Sequence, residues 1–416
     1  MRLLNLHSFH QTQKASVRMT LNVNDMANSK VWIGLPCIYE PCAQLDALSD
    51  AVRSEIELHD NRERKRSKAD QAKFDRCLRS LLAAIAILAL EGIGELRLSF
   101  SNTALSAMGM RPLKAIRDQL EKAGLIEVRL GYYDIDHPER SKLTAITPTP
   151  KLVQLVQESG LSLGDVVRPP ATTTFLTEPD HDAGAMPQRV REQDRLIKRY
   201  NEWIGSFTLH QPNGWTSSRI HLVRLFKHDW ITGGRLYGAF WIDMPRVERA
   251  TLLINGEETC ELDYKSLHPH ILYAWSIRKL EFDPYVIPGF EHVGREVGKK
   301  VFNRLINGKT TALKFIRKDY QPYLKSREEL NAFVAAMIER LSPIKKHFAS
   351  QAWGWLQKED SELALKVIER CMKEGIPVYP IHDGFRVRMS DKEQVEGIMN
   401  EAYKAIYGTN PSVCMK

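Results

Sequence analysis

Glu261-Leu262-Asp263-Tyr264-Lys265-Ser266-Leu267-His268-Pro269-His270-Ile271-Leu272-Tyr273 is the stretch to which the rest of the chain answers. Its first part reads as a buried strand. Thr251-Leu252-Leu253-Ile254 lies just upstream, and Cys260 and Leu262 alternate with polar residues. The strand runs into Asp263. A helical apolar pattern begins at Leu267 and continues through Ile271, Leu272 and Trp275. A carboxylate at a strand end beside a helix start can hold a hard cation through its oxygens. The same residue also suits a turn or a helix cap.

A second stretch bears on that choice. Ile376-Pro377-Val378-Tyr379-Pro380-Ile381-His382-Asp383-Gly384-Phe385-Arg386-Val387 reads as two short strands with a tight turn at His382-Asp383-Gly384. A hairpin of this kind presents Asp383 beside Asp263, and two such carboxylates can bind a pair of divalent ions. Between the two stretches, Arg295, Lys299, Asn303 and Asn307 fall four apart and precede Gly308. That spacing lines them along one helix face.

The order of these segments resembles the palm and fingers of family A DNA polymerases and of the phage single-subunit RNA polymerases. Asp263-Tyr264 resembles the start of their motif A, D-Y-S-Q-x-E. Arg295-x-x-x-Lys299-x-x-x-Asn303-x-x-x-Asn307-Gly308 resembles R-x-x-x-K-x-x-x-F-x-x-x-Y-G of the fingers helix. His382-Asp383 resembles the H-D-E of motif C. Thr232-Gly233-Gly234-Arg235-Leu236 resembles T-G-R-L with one extra glycine, and Gln357 matches the glutamine of a template-contacting helix. The resemblance runs from about Arg219 to the C-terminus. Three positions depart from it: His268 stands where motif A has Glu, Asn303 and Asn307 stand for aromatic residues, and Gly384 replaces the second carboxylate of motif C. Ser266-Leu267-His268-Pro269 also echoes the S-L-Y-P motif of family B, but Thr-Gly-Gly-Arg-Leu and the fingers spacing favour family A.

The resemblance implies an α+β right-hand fold with an antiparallel palm sheet, and template-directed nucleotidyl transfer as a DNA polymerase. It implies two Mg²⁺ ions, with Mn²⁺ as a substitute, on Asp263, Asp383 and the Tyr264 carbonyl. Arg295 and Lys299 would neutralise the triphosphate, with Lys299 donating a proton to pyrophosphate. His268, Asn303, Asn307 and Tyr264 would meet the nucleotide; Arg235, Gln357 and His382 would meet primer or template. The changes at His268, Asn303 and Asn307 predict weak discrimination against ribonucleotides, and priming from them. The small size of the chain suggests a minimal polymerase of a plasmid, phage or other mobile element. Its partners would be DNA, nucleoside triphosphates and a small replication partner protein. Two other classes stay open. One is a non-catalytic replication initiator with a degenerate palm. The other is a metal-dependent nuclease or transposase recruiting Glu362 as a third acid.

The 416 residues suffice for two or three domains. A hydrophobic share of 43% and a mean hydropathy of −0.34 describe a globular chain rather than a disordered one. A net charge of +8 suits a polyanionic partner. Six cysteines are scattered, and the spacing of Cys37 and Cys42 matches no strong zinc pattern. No signal peptide is expected from the start of the chain, and the apolar run Leu81 to Leu90 is too short to cross a bilayer. A cytoplasmic protein with reduced thiols and no membrane partner is expected.

Residues 1–70 read as a basic segment, with a charged helix from Asp50 to Asp70 and a basic run at Arg62, Arg64, Lys65, Arg66 and Lys68. Residues 71–165 carry a clearer pattern. An apolar-periodic helix, Phe74 to Leu90, precedes a strand at Leu96 to Phe100. A helix follows at Thr103 to Met108 behind Ser101-Asn102, then a second from Pro112 to Ala123, stopped by Gly124. Strands Leu125–Leu130 and Lys142–Thr147 flank a turn-rich link. Together these make a winged helix-turn-helix, and Glu121-Lys122-Ala123-Gly124-Leu125-Ile126 resembles the recognition-helix end of many bacterial regulators and replication initiators. Arg111, Lys114 and Arg117 would face DNA, with Arg129, Arg140 or Lys142 on the wing. Residues 166–188 read as a linker, and 189–416 as the thumb, palm and fingers.

Overall fold

The computed structural model describes residues 42–415 except 61, 63, 93–94, 99, 101–110, 133–141, 167–171, 178–179, 181, 215, 218, 245, 317–319 and 412. The expected helix at Thr103–Met108, its cap at Ser101-Asn102, Arg140 and Cys37 lie outside the described residues. Helices and sheets are mixed, and the buried apolar residues form two separate cores. One is built from Leu45 to Val166 and the other from Leu196 to Tyr403.

In the first core, helix α1 (Ala43–Glu57) packs on α2 (Lys68–Glu91). The apolar run of α2 is core: Leu81 to Leu88 are all buried. The charged helix expected from Asp50 to Asp70 forms only at its two ends: Asp50 to Glu57 belong to α1 and Lys68 to Asp70 to α2. Ser67 accepts from the Asp70 amide and caps α2 there, so the helix starts at Lys68. The basic run before it folds back on an acid, with Arg62 Nε 2.8 Å from Asp60 and Arg66 stacked over Phe74. Strands β1 (Leu96–Leu98), β2 (Ile126–Arg129) and β3 (Thr144–Pro148) form an antiparallel sheet in the order β1-β3-β2. Helix α3 (Leu113–Lys122) lays Leu113, Ile116 and Leu120 on the core, and Gly124 stops it with a φ of 67°. Helix α4 (Pro150–Glu158), capped by Thr149, closes this core.

The second core begins with α5 (Gln188–Ile204). Strands β4 (Thr174–Leu176), β6 (Val223–Phe226) and β7 (Gly233–Tyr237) make one sheet, ordered β4-β6-β7. The extra glycine of Thr232-Gly233-Gly234-Arg235-Leu236 has a structural use. Gly233 and Gly234 both take positive φ where the β6–β7 register shifts, and a Cβ on Gly234 would lie 2.7 Å from the Phe226 ring.

The larger sheet runs β10-β11-β9-β8-β5, with β12 (Val413–Met415) also pairing β9. Here β5 is Leu209–His210, β8 Leu253–Ile254, β9 Glu257–Tyr264, β10 Tyr379–Ile381 and β11 Gly384–Arg388. Thr251–Ile254 is not the upstream part of the Asp263 strand, as its apolar run suggests. Asn255 and Gly256 take φ of 51° and 82° and reverse the chain, so β8 pairs antiparallel with β9. Around this sheet pack α6 (Leu267–Trp275), α7 (Arg295–Asn307), α8 (Arg327–Arg340), α9 (Trp353–Glu374) and α10 (Lys392–Tyr407). No described helix is long and apolar enough to cross a membrane.

Candidate active site

Strands β9 and β11 set the centre of the site. Their antiparallel register pairs Asp263 with Gly384, so Asp383, one residue before Gly384, falls beside the Asp263 strand end. Asp263 is buried and Asp383 half-buried. The turn at His382-Asp383 is tight because His382 adopts a φ of 59°. A Cβ on Gly384 would stand 3.2 Å from Asp263 Oδ1 and 3.0 Å from the Leu262 carbonyl. A carboxylate at 384, as the resemblance would have it, meets that crowding; glycine leaves the space beside Asp263 open.

A third carboxylate lies near Asp383, and it is not Glu362. Asp360 of α9 is 1% exposed. It accepts from Arg235 of β7, with Nε 3.0 Å from Oδ2, and from His268 of α6, with Nε2 3.1 Å from the same oxygen. Burial first, and then the charge of Asp360, push the Asp383 carboxyl above its ordinary value; Arg235 and His268 oppose that rise. Glu362 is two residues further along the helix and so lies on another face. It pairs with Arg189 of α5 and with Lys358 at 2.9 Å, which removes it as a third acid beside Asp263 and Asp383. Asp360 was missed because it sits among the charged and polar residues Gln357 to Glu362, which read as a solvated face of the helix. A signal existed: one Asp among Leu356, Leu363, Ala364 and Leu365 on a buried helix needs a cation partner.

Helix α7 has the boundaries expected of the four-residue stripe. Val297, Gly298, Val301, Phe302, Leu305 and Ile306 are buried, which leaves Lys299, Asn303 and Asn307 exposed and Arg295 half-buried. Arg295 ties the start of α7 to the strand end that carries Asp263. It donates from Nη2 to Ser266 Oγ at 3.0 Å and from Nε to Asp283 at 2.7 Å, and it lies over the Tyr285 ring. Ser266 itself has a φ of 53°, a conformation that turns the chain sharply from β9 into α6.

The remaining expected residues divide. Gln357 is on α9, half-buried, one turn before Asp360. His382 rests edge-on against Tyr237, with ring centroids 5.6 Å apart. The Tyr264 side chain turns away from the nucleotide role expected of it: it is buried in the core and donates to the Met399 carbonyl at 2.7 Å. Only its backbone is left for the site. Among the described residues, no group of three or more His, Cys, Asp or Glu is placed to hold a metal ion. In the first core, Arg111 and Lys114 are exposed, as a DNA-facing surface requires. Arg117 is not: it is buried, stacked over Phe100 and bonded to Asp118. Its position on α3 falls one residue after Ile116, inside the apolar face. Arg129 is exposed but paired with Glu95 at 2.6 Å.

No protein-family model matches the chain, and no curated protein matches it. Among solved structures, it is similar to the POL domain of Pol1 from M. smegmatis in complex with DNA primer-template and dNTP. The TM-score is 0.34 and the identity 11%, over 92% of this chain and 66% of that one. The chain thus spans a little under two thirds of the Pol1 domain. A likeness at that level carries no argument, and the function is argued from the site.

Proposed function

We propose that the chain is a template-directed nucleotidyltransferase, a DNA polymerase with a right-hand palm built on β9 and β11. One observation carries this reading. Two carboxylates from segments more than a hundred residues apart meet at adjacent strand ends, and a helix with a cationic and amide stripe is anchored to the same strand end through Arg295 and Ser266.

The donor set fits a hard divalent cation. Asp263 and Asp383 offer oxygens only, and Asp383 is held above its ordinary value by burial and by the nearby Asp360, a cost that a cation would offset. Magnesium is commonly held by one or two carboxylates, with substrate phosphates completing the shell. When bound, such ions activate the attacking hydroxyl and stabilise the leaving group. The protein's own groups do the rest. Lys299, exposed on α7, meets the triphosphate and supplies a proton as pyrophosphate leaves. Arg295 adds charge at the base of the same helix, and Asn303 and Asn307 offer donors and acceptors to the sugar or base. Arg235, Gln357 and His382 border the primer and template.

The organisation we propose is a winged helix-turn-helix at 71–165, a linker at 166–188 and the polymerase unit at 189–416. In it, Arg111 and Lys114 of the first unit hold DNA phosphates. A role in copying a plasmid, phage or other mobile element, with priming from ribonucleotides, completes the reading.

The deciding experiment is labelled-nucleotide incorporation on primed and unprimed single-stranded DNA, with Mg²⁺, using dNTPs and then rNTPs. Incorporation that disappears in Asp263→Ala and Asp383→Ala supports the reading. DNA cleavage without nucleotides would assign a nuclease. Sequence-specific binding unaffected by Asp263→Ala, with no incorporation, would assign an initiator.

A further inference from the structure

Asp360 lies in the polar run Gln357–Glu362 of α9, yet it is 1% exposed. A carboxylate so buried is strongly unfavourable unless donors meet it. Two do, from different elements, and both meet the same oxygen. Arg235 Nε is 3.0 Å from Oδ2 and His268 Nε2 is 3.1 Å from it. A guanidinium only donates, so the oxygen it meets is an acceptor. As the carboxylate of an ion pair with Arg235, Asp360 has no hydrogen to give to histidine. His268 Nε2 therefore carries the hydrogen, and in the neutral ring Nδ1 is left as an acceptor. The imidazole sits at the first turn of α6, two residues after the Ser266 that Arg295 holds.

We propose that Asp360 is a positioning residue that fixes the tautomer of His268 and so makes Nδ1 a hydroxyl-accepting contact of the nucleotide site. The inference rests on the nucleotidyl-transfer reading. Its consequence concerns the sugar. A ribose offers one more hydroxyl donor than a deoxyribose. A site that pairs a substrate hydroxyl rejects the analogue lacking it, because its own polar atom is then left unpaired. Ribonucleotides gain from this arrangement, and they gain through Asp360, which never touches them. Arg235, held by the same oxygen, is locked in place with His268, so β7 and α6 keep one relative position around Asp383.

The test is single-nucleotide incorporation by the full chain, measured as kcat/KM for an rNTP over the matching dNTP. It compares the parent with Asp360→Asn, His268→Ala and the double variant. The expected result is a fall in that ratio of roughly fivefold, the size of one net hydrogen bond, in each single variant. The fall should appear mainly in the KM for the rNTP. The double variant should show no further fall, since Asp360 acts through His268. An unchanged ratio in Asp360→Asn, or an equal further fall in the His268→Ala background, overturns the inference while leaving the polymerase reading intact. Absence of all incorporation by the parent overturns both. Should Asp360→Asn fail to fold, nitrogen-15 shifts of the His268 ring in the parent decide. A neutral ring with its hydrogen on Nε2 supports the proposal, and a hydrogen on Nδ1, in the neutral or the charged ring, ends it.

Discussion

At the scale of single residues, Asp263 and His270 separate chemistry from stability. Asp263→Asn keeps the shape of the strand end and removes the charge. We expect incorporation to fall by about a thousandfold or more, with DNA affinity nearly unchanged, because the charge is used in the transition state. Steady-state kinetics beside an equilibrium binding titration checks this; an active variant would remove Asp263 from the chemistry. His270 lies on α6, and burial lowers its pKa from 6.5 to about 4. The sign follows directly. Between those values the unfolded chain binds a proton that the folded chain refuses, so stability is complete above pH 6.5 and is lost as pH falls toward 4. The loss is on the order of 3 kcal/mol at the acid end, taking 1.36 kcal/mol per unit. In His270→Leu that part of the pH dependence should vanish, seen as a flatter plot of urea unfolding free energy against pH. Residue identity alone pointed to Asp263 and Asp383. It did not point to Asp360, whose importance comes from what surrounds it.

At the scale of elements, α7 makes the clearest prediction. Its inner face approaches the preceding loop so closely that a Cβ on Gly298 would fall 1.9 Å from the Tyr285 carbonyl oxygen. Gly298→Val must therefore push the helix outward. Lys299, the next residue, is exposed. Lys299→Ala should leave the melting temperature within about 1 °C, as surface substitutions do, yet raise the nucleotide KM and lower kcat by about tenfold or more. Gly298→Val should lower both stability and activity. Thermal melts beside nucleotide titrations separate the two; a Lys299→Ala that loses only template affinity would mean the helix serves DNA rather than nucleotide. The limits of α7 were legible because Gly294 and Gly308 bracket an unbroken period. The β8–β9 turn was also legible, in Asn255-Gly256, but the apolar run before it drew the reading toward a longer strand. The charged segment from Asp50 to Asp70 is split between two helices, the first ending at Glu57 and the second started by the Ser67 cap.

At the scale of the whole molecule, the two cores divide the work we propose: holding DNA and joining nucleotides. Charge on the first core can be tested without cutting the chain. Arg111→Ala with Lys114→Ala removes two exposed cations. If both meet phosphate, the slope of log affinity against log salt should become shallower by about 1.8, at roughly 0.9 per contact. Incorporation on saturating template should be little changed. An unaltered slope would turn this face toward a protein partner instead. What the sequence determined by itself was periodic or local: the helix of 295–307, the hairpin at His382-Asp383, the strand ending at Asp263 and the α+β mixture. These follow from side-chain period and turn chemistry, which act over a few residues. What only the tertiary structure decided was who meets whom. The β9–β11 register brings Asp263 beside Gly384, the crossing of α9 carries Asp360 rather than Glu362 to Arg235 and His268, and the packing of α3 buries Arg117. Those outcomes depend on the phase of one element against another, and neither segment's own residues encode that phase.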